Sequence, residues 1–285
     1  MMGTHELYAR DLYAGYQGKA VLQGVSLKIP QGKISVIIGA NASGKSTLLK
    51  TLCRIIKPMK GQVLLNHEDV HKMKGKNLAK SVGLMPQSPM VPEGIKVMDL
   101  VMRGRYPHGG LFNQQRKKDV EAVMEALSAM GIVDLADRNV EALSGGQRQR
   151  VWIAMALAQE TEILFLDEPT TFLDISYQIE ILDRLMELNQ KKGTTIVMVL
   201  HDLNLSARYA EHIFAMKNGR LLQEGSPKDV ITCSLMEEIY NLPCKIMKDP
   251  MSGAPMMIPK GKFHCGHFCH DEACLKYEGG MKIKA

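Results

Sequence analysis

Between Val36 and Lys50 the chain reads VIIGANASGKSTLLK. Gly39, Ala40, Asn41, Ala42, Ser43, Gly44, Lys45 and Ser46 fit the pattern G-x-x-x-x-G-K-[ST], with an apolar run before it and helical text after it. That pattern does phosphate chemistry. Backbone N–H groups of such a loop, with the helix start that follows, surround phosphate oxygens. Lys45 would reach the β- and γ-phosphates of a nucleotide, the Ser46 hydroxyl would ligate Mg²⁺, and Thr47 extends the set of contacts. A second anion-binding helix start lies roughly a hundred residues further on. There Ser144, Gly145, Gly146 and Gln147 precede the helical run QRVWIAMALAQE. Ser144 suits an N-cap, and the paired glycines let a phosphate approach the backbone closely. One nucleotide does not need both helix starts from one subunit.

The elements that must position these loops read as an α/β fold with a mostly parallel sheet. Residues 6–29 alternate like a half-buried antiparallel sheet. Lys33–Ile38, Ile163–Leu166 and Thr194–Leu200 are short apolar runs, as in strands buried on both faces. Helices are predicted from Lys45 to about Ile55, from Asp119 onward, and from Ile175 to about Lys191, where Gly193 stops the last. In the Asp119 helix, Val120, Val123, Met124, Leu127 and Met130 are expected to share one face. Asn218-Gly219 predicts a hairpin turn between HIFAMK and RLLQEG. Residues 88–142 are mostly helical text with a loop at YPHGGLFNQQ.

Composition sets the outer bounds. The chain has 285 residues, 45% of them hydrophobic, which supports a substantial core. The formal charge of +6 is too mild to demand a nucleic-acid partner. No apolar run approaches the roughly 18–20 residues of a membrane span, and the start of the chain lacks a basic-then-apolar signal pattern. The expectation is a soluble, cytoplasmic chain.

With the two loops in place, the chain resembles an ATP-binding cassette (ABC) ATPase. The resemblance implies a P-loop NTPase with a RecA-like parallel core, an antiparallel β subdomain and a helical subdomain at about 88–160, together spanning 4–242. It also implies a head-to-tail homodimer, in which the LSGGQ of one subunit closes over ATP held by the phosphate loop of the other. The remaining motifs follow in family order. Ile163–Pro169 is similar to the Walker B strand: Asp167 would hold Mg²⁺, and Glu168 would polarise the attacking water as general base. Gln87 matches the glutamine that senses Mg²⁺ and the attacking water. His201 matches the switch histidine that contacts the γ-phosphate, and Thr171–Asp174 the loop that crosses the dimer interface. Tyr16, 23 positions before Gly39, matches the aromatic that stacks on adenine. The chain departs from the family at Ala40 and Ala42, where Pro and Gly are usual, and at Phe172, which is bulkier than the usual residue. If position 42 needs a positive φ, alanine there costs about 1 kcal/mol.

Finer marks narrow the resemblance to importers of iron–siderophores, haem and cobalamin. These are RGRYPH (103–108), LAQETEILFLDEPTTFLD (157–174), HDLNLSARYA (201–210) and LMEEIYNLPCKIMKDPMSGAPMMIP (235–259). Such a subunit would sit on the cytoplasmic face of the membrane under permease subunits fed by an external substrate-binding protein. The alternatives are a soluble ABC ATPase acting on Fe–S assembly or another macromolecular complex, and a non-enzymatic cassette. Past these marks, residues 261–285 form a Cys/His-rich tail. Cys265, Cys269, Cys274 and His267 supply three thiols and an imidazole, a set that suits Zn²⁺ or another soft metal, although no Cys-x-x-Cys pair is present.

Overall fold

The computed structural model describes residues 5–86, 93–108, 113–171 and 173–261. Its elements in chain order are β1 (Leu7–Tyr16), β2 (Lys19–Lys28), β3 (Ile34–Gly39), α1 (Lys45–Leu52), β4 (Lys60–Leu65), β5 (Glu68–Asp69), α2 (Gly75–Ser81) and β6 (Val82–Met85). Next come α3 (Val97–Met102), α4 (Asn113–Ala129), α5 (Gly145–Ala158), β7 (Ile163–Asp167), α6 (Ile175–Lys192), β8 (Thr195–Val199) and α7 (Leu203–Tyr209). The chain continues through β9 (His212–Lys217), β10 (Arg220–Gly225), α8 (Pro227–Val230), α9 (Cys233–Tyr240), β11 (Cys244–Lys248) and β12 (Pro255–Pro259).

A six-stranded sheet of order β10-β9-β3-β8-β7-β6 carries the site. Strands β3, β7 and β8 are buried along their whole length, which is why their sequences ISVIIG, ILFLD and TIVMV are nearly free of polar residues. They run parallel, with Ile34 opposite Ile196 and Asp167 opposite Val199. The phosphate loop after β3 and the two carboxylates after β7 therefore leave the same end of the sheet, with β8 between their strands, where open α/β sheets present their ligand sites. A second sheet of order β2-β1-β4-β5 is antiparallel. It shares an apolar core with α1 and one face of the first sheet, through Leu22, Leu48, Leu49, Phe165 and Phe214. The other face of the parallel sheet packs against α3–α6 through Val101, Leu127, Trp152 and Leu185.

Gly193 ends α6 at φ 65°, and Asn218 and Gly219, at φ 50° and 76°, form the expected hairpin turn between β9 and β10. The expectation for the Asp119 helix needs correction. That helix, α4, begins at Asn113, and Asp119 is buried inside it rather than opening it. Val123, Leu127 and Met130 are buried, but Val120 and Met124 are exposed, and Ala122 and Ala126 complete the packed stripe instead. The hydrophobic face is rotated because Asp119 turns inward to meet the Arg105 guanidinium at 2.9 Å. Among the described residues no helix is long and apolar enough to cross a membrane.

Candidate functional site

Gly39 closes β3 at φ 153°, and a side chain there would strike the Met216 carbonyl oxygen at 2.4 Å and the Ser43 hydroxyl at 2.6 Å. Only glycine fits where the strand turns into the phosphate loop. Ala42 stands at φ 62° in the left-handed region, so the condition attached to that departure is met. Gly44, at φ 101°, is the N-cap of α1. The loop is held from its flank by the hairpin turn: the Gly219 N–H donates to the Ser43 carbonyl at 3.0 Å. Gln23 of β2 in turn donates its N–H to the Gly219 carbonyl at 2.9 Å.

Lys45 is 6% exposed and folds over its own loop. Its ammonium donates to the carbonyls of Gly39 at 2.8 Å and Ala40 at 3.0 Å. Burial pulls the Lys45 pKa down, and the nearby Glu168 and Asp167 charges oppose that. The Ser46 hydroxyl donates to Asp167 Oδ1 at 3.0 Å. Asp167 is fully buried, its Oδ2 has no hydrogen-bond partner, and burial raises its pKa. An unpartnered carboxylate oxygen beside a hydroxyl is a hard-oxygen donor set that fits Mg²⁺. The Ser43 hydroxyl is likewise buried without a partner.

Glu168 takes φ 57°, a conformation uncommon for a residue with a side chain. Its carboxylate meets one group from another segment and one from its own loop. Oε1 meets His201 Nε2 at 2.7 Å, and Oε2 accepts from the Thr171 hydroxyl at 3.1 Å. The structure thus joins Lys45, Ser46, Asp167, Glu168 and His201, five residues from three separated stretches. Tyr16 lies half exposed at the end of β1, on the sheet whose Leu22 side chain reaches the Cα side of Gly44. Gln87 and Phe172, and the tail residues Cys265, His267, Cys269 and Cys274, lie outside the described residues. Among the described residues no cluster of three or more metal-ligating side chains occurs.

The second helix start is separately built. Ser144 Oγ accepts from the Gln147 N–H at 3.3 Å, and Gln147 Oε1 accepts from the Ser144 N–H at 3.1 Å, a reciprocal capping box at the start of α5. Ser144 and Gly145 face solvent, and a Cβ at Gly145 would have no neighbour within 4 Å. Behind them, Gly146 faces Leu173 and Tyr177 at ordinary contact distance. Asp174, exposed, takes the N-cap position of α6. Three contacts were not apparent from the sequence. The Gln149 amide donates to the Pro169 carbonyl at 2.9 Å, tying α5 to the carboxylate loop. Thr171 holds Glu168, and Tyr240 reaches Gly39 from α9. All three sit inside or next to motifs, but side-chain direction is not a property of spacing.

Together the parallel sheet, phosphate loop, buried carboxylates and capped glycine-bearing helix start define a P-loop nucleoside triphosphatase of the cassette type. The profile of the family described as ABC transporter matches residues 22–171, and the chain belongs to that family and is an ATPase. It is 50% identical over 264 residues to the "Probable siderophore transport system ATP-binding protein YusV" of Bacillus subtilis, covering 93% of this chain and 96% of that one. It is 49% identical to the ferric enterobactin transport ATP-binding protein FepC of Escherichia coli, covering 90% and 94%. A solved dimer of the cassette MJ0796, bound to ADP and Pi after hydrolysis, superposes with a TM-score of 0.66 at 28% identity, covering 77% and 98%. Both curated relatives are transport subunits by name, which favours an importer over an Fe–S assembly factor.

Proposed function

We propose that the chain is the ATP-hydrolysing subunit of an importer for iron–siderophore-type metal chelates. One observation carries the chemistry: Glu168, held between His201 and Thr171, stands next in sequence to Asp167, which meets Ser46 at the end of the phosphate loop. The loop amides and Lys45 bind the β- and γ-phosphates, exchanging the Lys45 bonds to Gly39 and Ala40 for phosphate oxygens. Ser46 and Asp167 would hold Mg²⁺, with Gln87 beside it, and the metal would supply charge neutralisation of the transferred phosphate. Glu168 orients the attacking water and takes its proton, and His201 senses the γ-phosphate. Tyr16 stacks on the adenine. Ser144, Gly145, Gly146, Gln147 and Asp174 face the nucleotide of a second copy across a head-to-tail interface, as the solvent exposure of Ser144, Gly145 and Asp174 allows.

The permease is a separate chain on this reading, and the ATPase sits against the membrane's cytoplasmic face. The permease would dock on the side of the chain that carries Arg103–His108. Within that stretch the Tyr106 ring is 88% exposed while its neighbour Arg105 is buried. ATP acts as a ligand that prefers the closed dimer, and hydrolysis resets it.

The test is Glu168→Gln, tagged and extracted from native membranes in mild detergent with ATP. It should bind ATP, turn over at least about a hundredfold more slowly, the lower range for a general base, and bring down a multi-span permease. Near-normal turnover would overturn the base assignment. Recovery of soluble partners alone would overturn the importer reading.

A further inference from the structure

The C-terminal part of the chain after α8 has no part in the family's phosphate motifs, yet through α9 it touches the phosphate loop. The Gly39 N–H donates to the hydroxyl of Tyr240 at 3.1 Å, across 201 residues of sequence. Tyr240 is the last residue of α9, and burial pushes its phenol up to about 12, so it stays a neutral hydroxyl at any working pH. The other backbone group of Gly39 is committed too: its carbonyl accepts from Lys45 at 2.8 Å. The two ends of the glycine are thus held by two side chains, one from the loop's own helix and one from the C-terminal segment.

Tyr240 is itself braced. The Lys217 ammonium, at the end of β9, accepts no slack in α9, because it donates to the Glu238 carbonyl at 2.5 Å. Asn241 caps the helix at φ 52°. The hairpin that follows, β11–β12, is fastened to α7, the helix just after His201. Asn204 exchanges two hydrogen bonds with the Met257 backbone, at 2.8 and 3.3 Å, and Arg208 donates twice to Asp249 Oδ2, at 2.8 and 3.1 Å. One C-terminal unit therefore contacts both the beginning of the phosphate loop and the helix behind the switch histidine.

We propose that Tyr240 is a positioning residue for nucleotide binding: its hydroxyl fixes the Gly39 peptide so that the phosphate loop is ordered before ATP arrives. This rests on the reading that the loop binds ATP. Without the hydroxyl, ordering that peptide is deferred to the binding step, which weakens affinity. Chemistry at Glu168 is untouched, so the effect falls on KM rather than kcat.

The experiment compares wild type, Tyr240→Phe, Ile239→Ala and Lys45→Ala as purified full chains. Tyr240→Phe keeps the ring and removes only the hydroxyl; Ile239→Ala loosens α9 packing without touching the bond. Measured are KM and kcat for ATP, Tm, and hydrogen exchange of the phosphate-loop peptide with and without ATP. Tyr240→Phe should raise KM roughly three- to tenfold, the range of one hydrogen bond, with kcat within about twofold. Loop exchange should rise without ATP and return to the wild-type level at saturation. An unchanged KM and unchanged loop exchange would overturn the proposal. So would a KM rise that follows Tm in the same proportion as in Ile239→Ala, since that marks general loosening. If wild type and Lys45→Ala bind ATP alike, the functional reading itself fails, which is a separate result.

Discussion

Ala42 shows what can be read at a single position. The family's usual glycine and the alanine found here differ by one methyl group, and the left-handed φ of 62° makes that methyl group unfavourable. Ala42→Gly should relieve about 1 kcal/mol of strain, less what glycine adds to the entropy of the unfolded chain. The expected outcome is a Tm higher by roughly 1–3 °C in a thermal melt, with ATP affinity equal or better; a lower Tm would show that the loop prefers the alanine. The residue types of the site were legible before the structure because phosphate chemistry demands glycine, lysine and hydroxyl at fixed intervals. Their mutual geometry was not. That Glu168 would sit at φ 57° with His201 at 2.7 Å follows from how two strand ends lie side by side, and strand adjacency is a long-range fact.

At the scale of elements, the buried strands were readable because burial on both faces excludes polar side chains. The start of α4 was not, because NQQRKK carries no apolar period to read. Asp119 looked like a helix opener and is instead one half of a buried ion pair, with side chains only 6% and 12% exposed on Arg105 and Asp119. Arg105 also donates to the Ala158 carbonyl at 2.7 Å and to Glu160 at 2.6 Å, so it binds α4 to the end of α5. Asp119→Ala leaves a buried guanidinium short of a partner and should cost about 3 kcal/mol, visible as a lower midpoint in urea with an unchanged slope. A second prediction concerns α9 and β11. The Cys244 thiol is buried, hydrogen-bonds that of Cys233, and is pushed up to about 11, chiefly by burial. Cys233 is exposed. Because the thiolate is the reacting species, iodoacetamide at pH 8 should label Cys233 first. Cys244 labelling should then rise close to tenfold per pH unit toward pH 10, read by peptide mass spectrometry. Equal labelling at pH 8 would contradict the buried placement.

For the whole molecule, two phosphate-binding helix starts exceed what one nucleotide requires, and the resemblance to ABC ATPases implied a second copy to use the other. The fold is consistent with that need, with Ser144, Gly145 and Asp174 left on the surface. Sedimentation of Glu168→Gln should give a monomer without nucleotide and twice that mass with ATP, and Ser144→Arg should keep it monomeric by blocking the capped glycines. A monomer throughout would remove the head-to-tail arrangement for the isolated subunit. On the proposed reading, none of the site's side chains meets the cargo, and selectivity belongs to the chains that form the path.

The Asn218–Gly219 turn has a mechanical consequence. Its glycine gives an N–H to the phosphate loop and takes one from β2, so a two-residue corner rivets the antiparallel sheet to the floor of the parallel one. On the proposed reading, in which Tyr16 stacks on adenine, the adenine end and the phosphate end of the nucleotide then rest on two sheets joined through one backbone corner.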